Sequence, residues 1–293
     1  MTSRFIIILL RLFACMTLPQ AHRLGSLIGH ALYLLPNTLR RTTAINLALC
    51  FPELTPQQRR DLLRRNLIEM GKSAAEAGPL WLWPGHKVID AVVLGTGMAE
   101  FMRHLAEKRG AIIAAPHLGS WEVVGLYLSA LHPMTSLYRP PHQRALEPTI
   151  RHGRERLGAR LVPTTTQGVR ALSRALHHQE LVGILPDQDP GKDNGLFAPF
   201  FGQAANTITL LSKLAIKTGT PVFFVYAERL AHGRGYRLHC LKGDQRLQHA
   251  PLAQSVTLLN EQVEHCVRAL PEQYQWGYKR FKTRPEGGAR LYP

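Results

Sequence analysis

The sequence predicts an α/β fold, a mostly parallel central sheet flanked by helices. Three observations support this. Short unbroken apolar runs, such as Ala111–Ala115 and Leu181–Leu185, have the length and composition of fully buried strands. Between them lie segments with apolar residues at helical spacing, so strands and helices alternate. The 293 residues are 45% hydrophobic and show no internal repeat or low-complexity linker, which suits one sizeable core.

The N-terminal segment reads differently from the rest. Phe5–Leu18 is apolar except for Arg11 and Thr17, and a second apolar run, Leu24–Leu35, is interrupted by His30. Neither reaches the roughly 20 residues of a spanning helix. Arg11 within the run and the lack of an A-x-A-like site speak against a cleaved signal peptide. Residues 1–40 are therefore expected to form a membrane anchor, interfacial or tilted, with Arg4, Arg11, Arg23, Arg40 and Arg41 at anionic headgroups. A hydrophobic helix packed on the domain is the alternative. The flanking positive charge places residues 41–293, a single catalytic-size domain, on the cytoplasmic side.

Thr55-Pro56-Gln57-Gln58 has the form of a capping box with proline at the first helical position. Leu63, Leu67, Met70 and Ala74 continue the helix, and Gly78-Pro79 is expected to end it. Its other face carries Arg59, Arg60, Arg64 and Arg65, either a solvated face or a contact for lipid headgroups. A strand is predicted at Val88–Leu94, a helix at Met98–Lys108, a strand at Ala111–Ala115, a helix at Trp121–Leu131 and a strand at Thr135–Arg139. A helical stretch over His142–Leu157, a strand at Leu161–Pro163, a helix at Gln167–His178 and a strand at Leu181–Leu185 follow. Asn206 is placed as the cap of a helix running to Lys217, Pro221–Ala227 and Tyr236–Leu241 as strands, and Ser255–Leu270 as the last helix. Cys15, Cys50, Cys240 and Cys266 form no C-x-x-C pair and read as small buried hydrophobes.

The chemistry-bearing residues fall at predicted strand ends, the edge where α/β sheets place their sites. In Pro116-His117-Leu118-Gly119-Ser120-Trp121-Glu122, a strand gives way through a turn to a helix. The turn lets His117 and Glu122 converge, so that Glu122 orients the imidazole and His117 acts as general base; a capping histidine beside a surface glutamate is the plainer alternative. Ser120 reads as a helix N-cap, since the pattern is not G-x-S-x-G. The second place is Pro186-Asp187-Gln188-Asp189-Pro190-Gly191, where two acids bind a cation, orient an arginine or shape a turn; Gly191-Lys192-Asp193 does not complete a P-loop. The aromatic stretch Leu196–Gly202 that follows is either core or a surface for an acyl chain or bilayer. The third is Tyr138-Arg139-Pro140 with Arg151, Arg154, Arg156 and Arg160, a basic set suited to phosphate or simply a solvated face.

His117-x4-Glu122 is the H-x4-D/E signature of glycerolipid-type acyltransferases, and the chain resembles the lauroyl/myristoyl acyltransferases of lipid A biosynthesis. The landmarks occur in order along nearly the whole chain. They are Asn46-Leu47-Ala48-Leu49-Cys50-Phe51-Pro52-Glu53, the His117–Glu122 block, Tyr138-Arg139-Pro140, Gly153-Arg154, Pro186-Asp187-Gln188-Asp189, Phe200-Phe201-Gly202 and Arg280–Pro285. The resemblance implies a glycerolipid-acyltransferase-like fold and acyl transfer from an acyl-carrier protein thioester to a hydroxyl of a lipid A precursor at the inner membrane. It makes His117 the base and Glu122 its partner, and it places substrate-binding roles on Arg154 and Asp187, with Arg139 and Asp189 as second candidates. It implies no metal or organic cofactor. The backbone N–H groups at Gly119 and Ser120 are candidates to hold the oxyanion.

The net charge of +16, from 36 Lys and Arg against 20 Asp and Glu, suits an acidic carrier protein, an anionic bilayer and a phosphorylated acceptor together. It would also suit nucleic acid, but no RRM, HTH, zinc-finger or KH pattern is present. The competing readings are acylation of another phospholipid or glycolipid and, in another class, a non-catalytic basic protein of the membrane surface.

Overall fold

The computed structural model describes residues 3–141, 143–191 and 194–292. Four helices come first: α1 (Ser3–Ala14), α2 (Leu18–Leu34), α3 (Thr38–Cys50) and α4 (Pro56–Leu82). The α/β body follows as α5 (Gly85–Ile89), β1 (Val92–Leu94), α6 (Met98–Ala106), β2 (Ala111–Ala114), α7 (Trp121–Leu131), β3 (Met134–Tyr138), α8 (Glu147–Glu155), β4 (Ala159–Pro163), α9 (Thr166–His177) and β5 (Leu181–Ile184). It continues through β6 (Gly195–Phe200), β7 (Gln203–Ile208), α10 (Leu210–Thr218), β8 (Val222–Arg229), β9 (Tyr236–Lys242), α11 (Arg246–His249) and α12 (Leu252–Ala269).

One sheet runs in the order β1-β9-β8-β2-β5-β3-β4, and β6 and β7 form a separate hairpin. Every neighbour in the large sheet is parallel except β8 and β9, which are joined by a short connection and pair antiparallel. β2 and β5 lie in the middle, buried throughout, as their unbroken apolar runs require. Alternate residues of β2 face opposite layers: Ile112 and Ala114 meet α3, α4, α9, α10 and α12, while Ala111 and Ile113 meet α5, α6 and α7.

Several elements depart from the sequence reading. Val88 lies in α5 rather than a strand, because Pro84 starts a short helix and leaves only Val92–Leu94 to pair at the sheet edge. The capping box at Thr55 forms in both directions, 3.2 Å from the Gln58 N–H to the Thr55 hydroxyl and 2.8 Å from the Thr55 N–H to the Gln58 side chain. The helix does not stop at Gly78-Pro79; it runs to Leu82, with Pro79 taken up in the last turn, where its carbonyl accepts the Trp83 N–H at 3.0 Å. Asn206 caps nothing: it sits within β7, and Thr209 occupies the N-cap of α10. The aromatic stretch is a strand, so it divides by alternation. Ala198 and Phe200 face the core, and Phe197, 45% exposed, faces out. Cys50, Cys240 and Cys266 are buried as expected, but Cys15 is exposed. His142, the expected start of a helical stretch, lies outside the described residues, as do Lys192 and Asp193.

The N-terminal segment is built into the body. At the α2–α4 contact a Cβ on Gly29 would stand 2.3 Å from the Ile68 Cα, and one on Gly71 would stand 2.1 Å from the Gly25 carbonyl oxygen. The two helices therefore touch backbone to backbone. His22 of α2 is buried against Glu76 of α4, Nε2 to Oε2 at 3.1 Å. No helix among the described residues is long and apolar enough to cross a membrane. Within the segment expected as an anchor, α1 and α2 pack against α4. An apolar face still points outward, formed by Phe5, Ile8 and Leu12 on α1 and by Leu27, Leu34 and Leu35 at and beyond α2.

Candidate active site

The site forms where β2 and β5 end side by side. Ala114 pairs with Ile184, and three residues further on each strand stand His117 and Asp187. Parallel register thus carries an imidazole and a carboxylate to the same height. Asp187 Oδ1 lies 2.8 Å from His117 Nδ1, and Oδ2 accepts the His117 backbone N–H at 2.9 Å. Burial would raise the Asp187 carboxyl, but His117, through charge and hydrogen bonds, outweighs it and holds the group below its ordinary range. An ionised Asp187 fixes the proton on Nδ1 and leaves the Nε2 lone pair for base chemistry. At Nε2 the Gln188 side-chain amide approaches to 3.2 Å while also donating to Gln275 Oε1 at 3.0 Å. The Trp121 ring packs beside the imidazole, centroids 5.2 Å apart.

The turn after β2 is pinned on both sides. Gly119 has φ +61, and a Cβ there would lie 2.0 Å from the Ala227 carbonyl oxygen, so no other residue fits. The Gly119 N–H donates to the Gln273 carbonyl at 3.0 Å, and the Ser120 N–H to the Ala227 carbonyl at 2.8 Å. Both amides are therefore occupied, and neither is available as an oxyanion donor as expected from the sequence. Ser120 does stand at the N-cap of α7, but its side chain makes no capping bond.

Glu122 does not take the place expected for it. The helix begun at Trp121 turns Glu122 toward α8, where its carboxylate holds Arg154 through Nε at 2.8 Å and through a second, shorter bond to a terminal nitrogen. Burial pushes the Glu122 carboxyl up, but Arg154 prevails and keeps it below the ordinary value. Arg154 also lies over the Tyr138 ring at 5.3 Å, and Tyr138 donates to Glu147 at 2.8 Å. Burial, then that hydrogen bond, raises the Tyr138 hydroxyl to about 12. The carboxylate that orients His117 is thus Asp187, and Arg154 is committed to Glu122.

Arg139, just past β3, is exposed, lines a cavity that His117 also lines, and forms no ion pair among the described residues. Asp189 is buried and occupied. It accepts from the Gly191 N–H at 2.8 Å, the Asn206 amide at 3.1 Å and the Thr283 N–H at 3.1 Å, so it shapes its loop. Against burial, these donors hold its carboxyl below the ordinary range.

Sequence reasoning did not single out Gln188 or the segment that backs His117. The Gln275 N–H donates to the His117 carbonyl at 3.0 Å. That segment is held by two buried asparagines: Asn46 donates to the Trp276 and Tyr278 carbonyls, and Asn66 to those of Glu272 and Tyr274. The Gln273 side chain grips the Arg229 backbone through N–H and C=O, 2.8 and 2.9 Å. The Arg229 guanidinium is itself buried, bonded to Glu69, Ser73 and Glu76. Gln188 stands between two acids that the sequence did mark; nothing local marks residues 272–278.

From His117 a cavity of about 340 Å³ runs between the sheet and α7. Its polar lining includes His117, Glu122, Arg139, Arg154 and Gln188, and its walls include Val124, Leu126, Met134, Leu137, Leu161 and Leu185. A base beside an apolar cleft suits deprotonation of a hydroxyl next to a bound hydrocarbon chain.

The comparisons agree with that chemistry. A family model described as bacterial lipid A biosynthesis acyltransferase matches residues 1–283. The chain is 30% identical over 251 residues to a lipid A biosynthesis palmitoleoyltransferase of Escherichia coli K12, covering 84% of this chain and 80% of that protein. It is 28% identical over 275 residues to the lauroyltransferase of the same organism, covering 94% and 89%, and 26% identical over 282 residues to its myristoyltransferase, covering 94% and 83%. With the match spanning nearly its full length, the chain belongs to the bacterial lipid A biosynthesis acyltransferase family.

Proposed function

We propose that the protein transfers a fatty acyl chain from an acyl-carrier protein thioester to a hydroxyl of a lipid A precursor at the cytoplasmic face of the inner membrane. The observation that carries this is His117, its Nδ1 held by Asp187 and its Nε2 beside an apolar cavity. The acyl chain occupies the cavity, and the acceptor hydroxyl displaces the Gln188 amide at Nε2. His117 takes the hydroxyl proton as the oxygen attacks the thioester carbonyl. The tetrahedral intermediate collapses, the carbon–sulfur bond breaks, and the imidazolium returns the proton to the leaving thiolate. Asp187 stabilises the imidazolium directly. Glu122 acts through Arg154, fixing the cavity wall. The Gln188 amide, freed from Nε2, and the Trp121 N–H at the start of α7 are the donors closest to the developing oxyanion. A thioester is already activated, so the reaction needs no covalent nucleophile and no cofactor.

Arg139 is the cation at the cavity rim that meets a phosphate of the acceptor. The outward apolar residues of α1 and α2 rest in the membrane surface, with the N-terminal arginines at headgroups.

The test is transfer in detergent micelles from carrier protein charged with twelve- or fourteen-carbon chains to a tetra-acylated lipid A precursor, read by mass spectrometry. The expected product is heavier by one acyl chain and absent with His117→Ala. No transfer from either donor would overturn this acceptor, and transfer that survives His117→Ala would overturn the site.

A further inference from the structure

A second cavity, about 440 Å³, opens between α9 and α10. Val169, Leu210 and Leu214 form its floor; Arg170, Arg174 and His177 stand along one rim and Lys213 and Lys217 along the other. The basic side chains are exposed, and among the described residues none of them joins an ion pair. Arg151 of α8, by contrast, is matched by Glu147 and Glu155. Here the four-residue repeats Arg170/Arg174 and Lys213/Lys217 set like charges over one another, which weakens a helix unless an outside anion compensates.

We propose that this groove docks the acyl donor's carrier, an acidic protein that lays an amphipathic helix between the two basic rims. The proposal rests on the acyl-transfer reading above. Charge complementarity argues for it: two cationic rows flank an apolar floor, the counterpart of a helix with carboxylates along both sides of an apolar stripe. Continuity argues for it as well. Thr164 and Ile208 line the catalytic cavity, and each lies two residues before the start of α9 or α10. A carrier in the groove thus sits beside the cavity that its acyl group must reach. Val169, Leu210 and Leu214 are recessed below the exposed cations, a shape that receives a helix.

The test compares the wild type with Arg170→Glu/Arg174→Glu and with Lys213→Glu/Lys217→Glu, all surface changes checked for an unaltered Tm. Binding of unacylated carrier protein is measured directly, and turnover is measured with acylated carrier and with a carrier-free acyl-pantetheine thioester. Each reversed pair is expected to weaken carrier binding and raise KM for acylated carrier by about tenfold or more, with a flatter salt dependence and unchanged acyl-pantetheine turnover. Wild-type affinity for the carrier in both variants would overturn the proposal, as would equal loss with the carrier-free thioester. Loss of binding to phosphatidylglycerol vesicles with carrier binding intact would assign the groove to the membrane instead. A wild type that binds carrier but transfers no acyl chain would sink the acyl-transfer reading alone, because the binding measurement still decides the groove.

Discussion

At His117 the chemistry turns on which ring nitrogen holds the proton. Asp187 at 2.8 Å from Nδ1 favours the proton there, which leaves Nε2 as the base in the proposed reaction. Replacing Asp187 with Asn removes the charge but keeps the shape, so kcat is expected to fall by about 10²- to 10⁴-fold with little change in KM, measured with acylated carrier as donor. Glu122→Gln acts by another route. It leaves the Arg154 guanidinium without its anion in a largely buried position and should lower stability by about 2 kcal/mol as well as activity. The double change Glu122→Gln/Arg154→Met should recover much of that stability in urea denaturation without recovering turnover. Equal stability of the single and double variants would show that the pair is not coupled. The H-x4-E spacing made both residues legible as a site, but not their partners. A pairing between neighbouring strands joins residues 70 apart, and the register that sets Asp187 opposite His117 exists only once β2 and β5 have met.

Among the elements, the contact of α2 with α4 ties the N-terminal segment to the body. Apolar runs bounded by arginine look the same in sequence whether they meet lipid or protein; Gly25, Gly29 and Gly71 give one face of α2 to protein by allowing backbone contact. Gly71→Leu should force the helices apart and cost about 1 to 3 kcal/mol, read as a lower denaturation midpoint in detergent. An unchanged midpoint would mean that the contact contributes little. The central strands β2 and β5 were legible because buried strands need unbroken apolar runs. The β6–β7 hairpin was not, since β6 alternates and Asn206 suits a helix cap as well as it suits the bonds it makes to Asp189 and Gly191.

For the whole molecule, the buried cluster around Glu76 joins α2, α4, β8 and β9. Burial would raise its carboxyl, but Arg229, with help from His22, brings it from 4.5 to about 2. A depressed carboxylate stabilises the fold fully above its unfolded value and loses that contribution as pH falls through the folded one. About 3 kcal/mol should therefore disappear between pH 4.5 and about 2. Acid titration of stability should show that slope in the wild type and a flatter one in Glu76→Gln/Arg229→Met; the same slope in both would place the acid-sensitive group elsewhere.

The brace behind His117 has a consequence for how the enzyme comes into being. Asn46 binds residue 276 and accepts from Tyr292, partners separated from it by 230 and 246 positions. During synthesis the N-terminal helices leave the ribosome tens of seconds before the segment that closes the site, at about 5 to 20 residues per second. Over that interval the outward apolar face of α1 and α2 already exists, while the histidine has no support from residues 273–275. On the proposed reading, a nascent chain can therefore settle at a membrane surface before it is able to react, and chemistry begins only when the segment that backs His117 has been delivered.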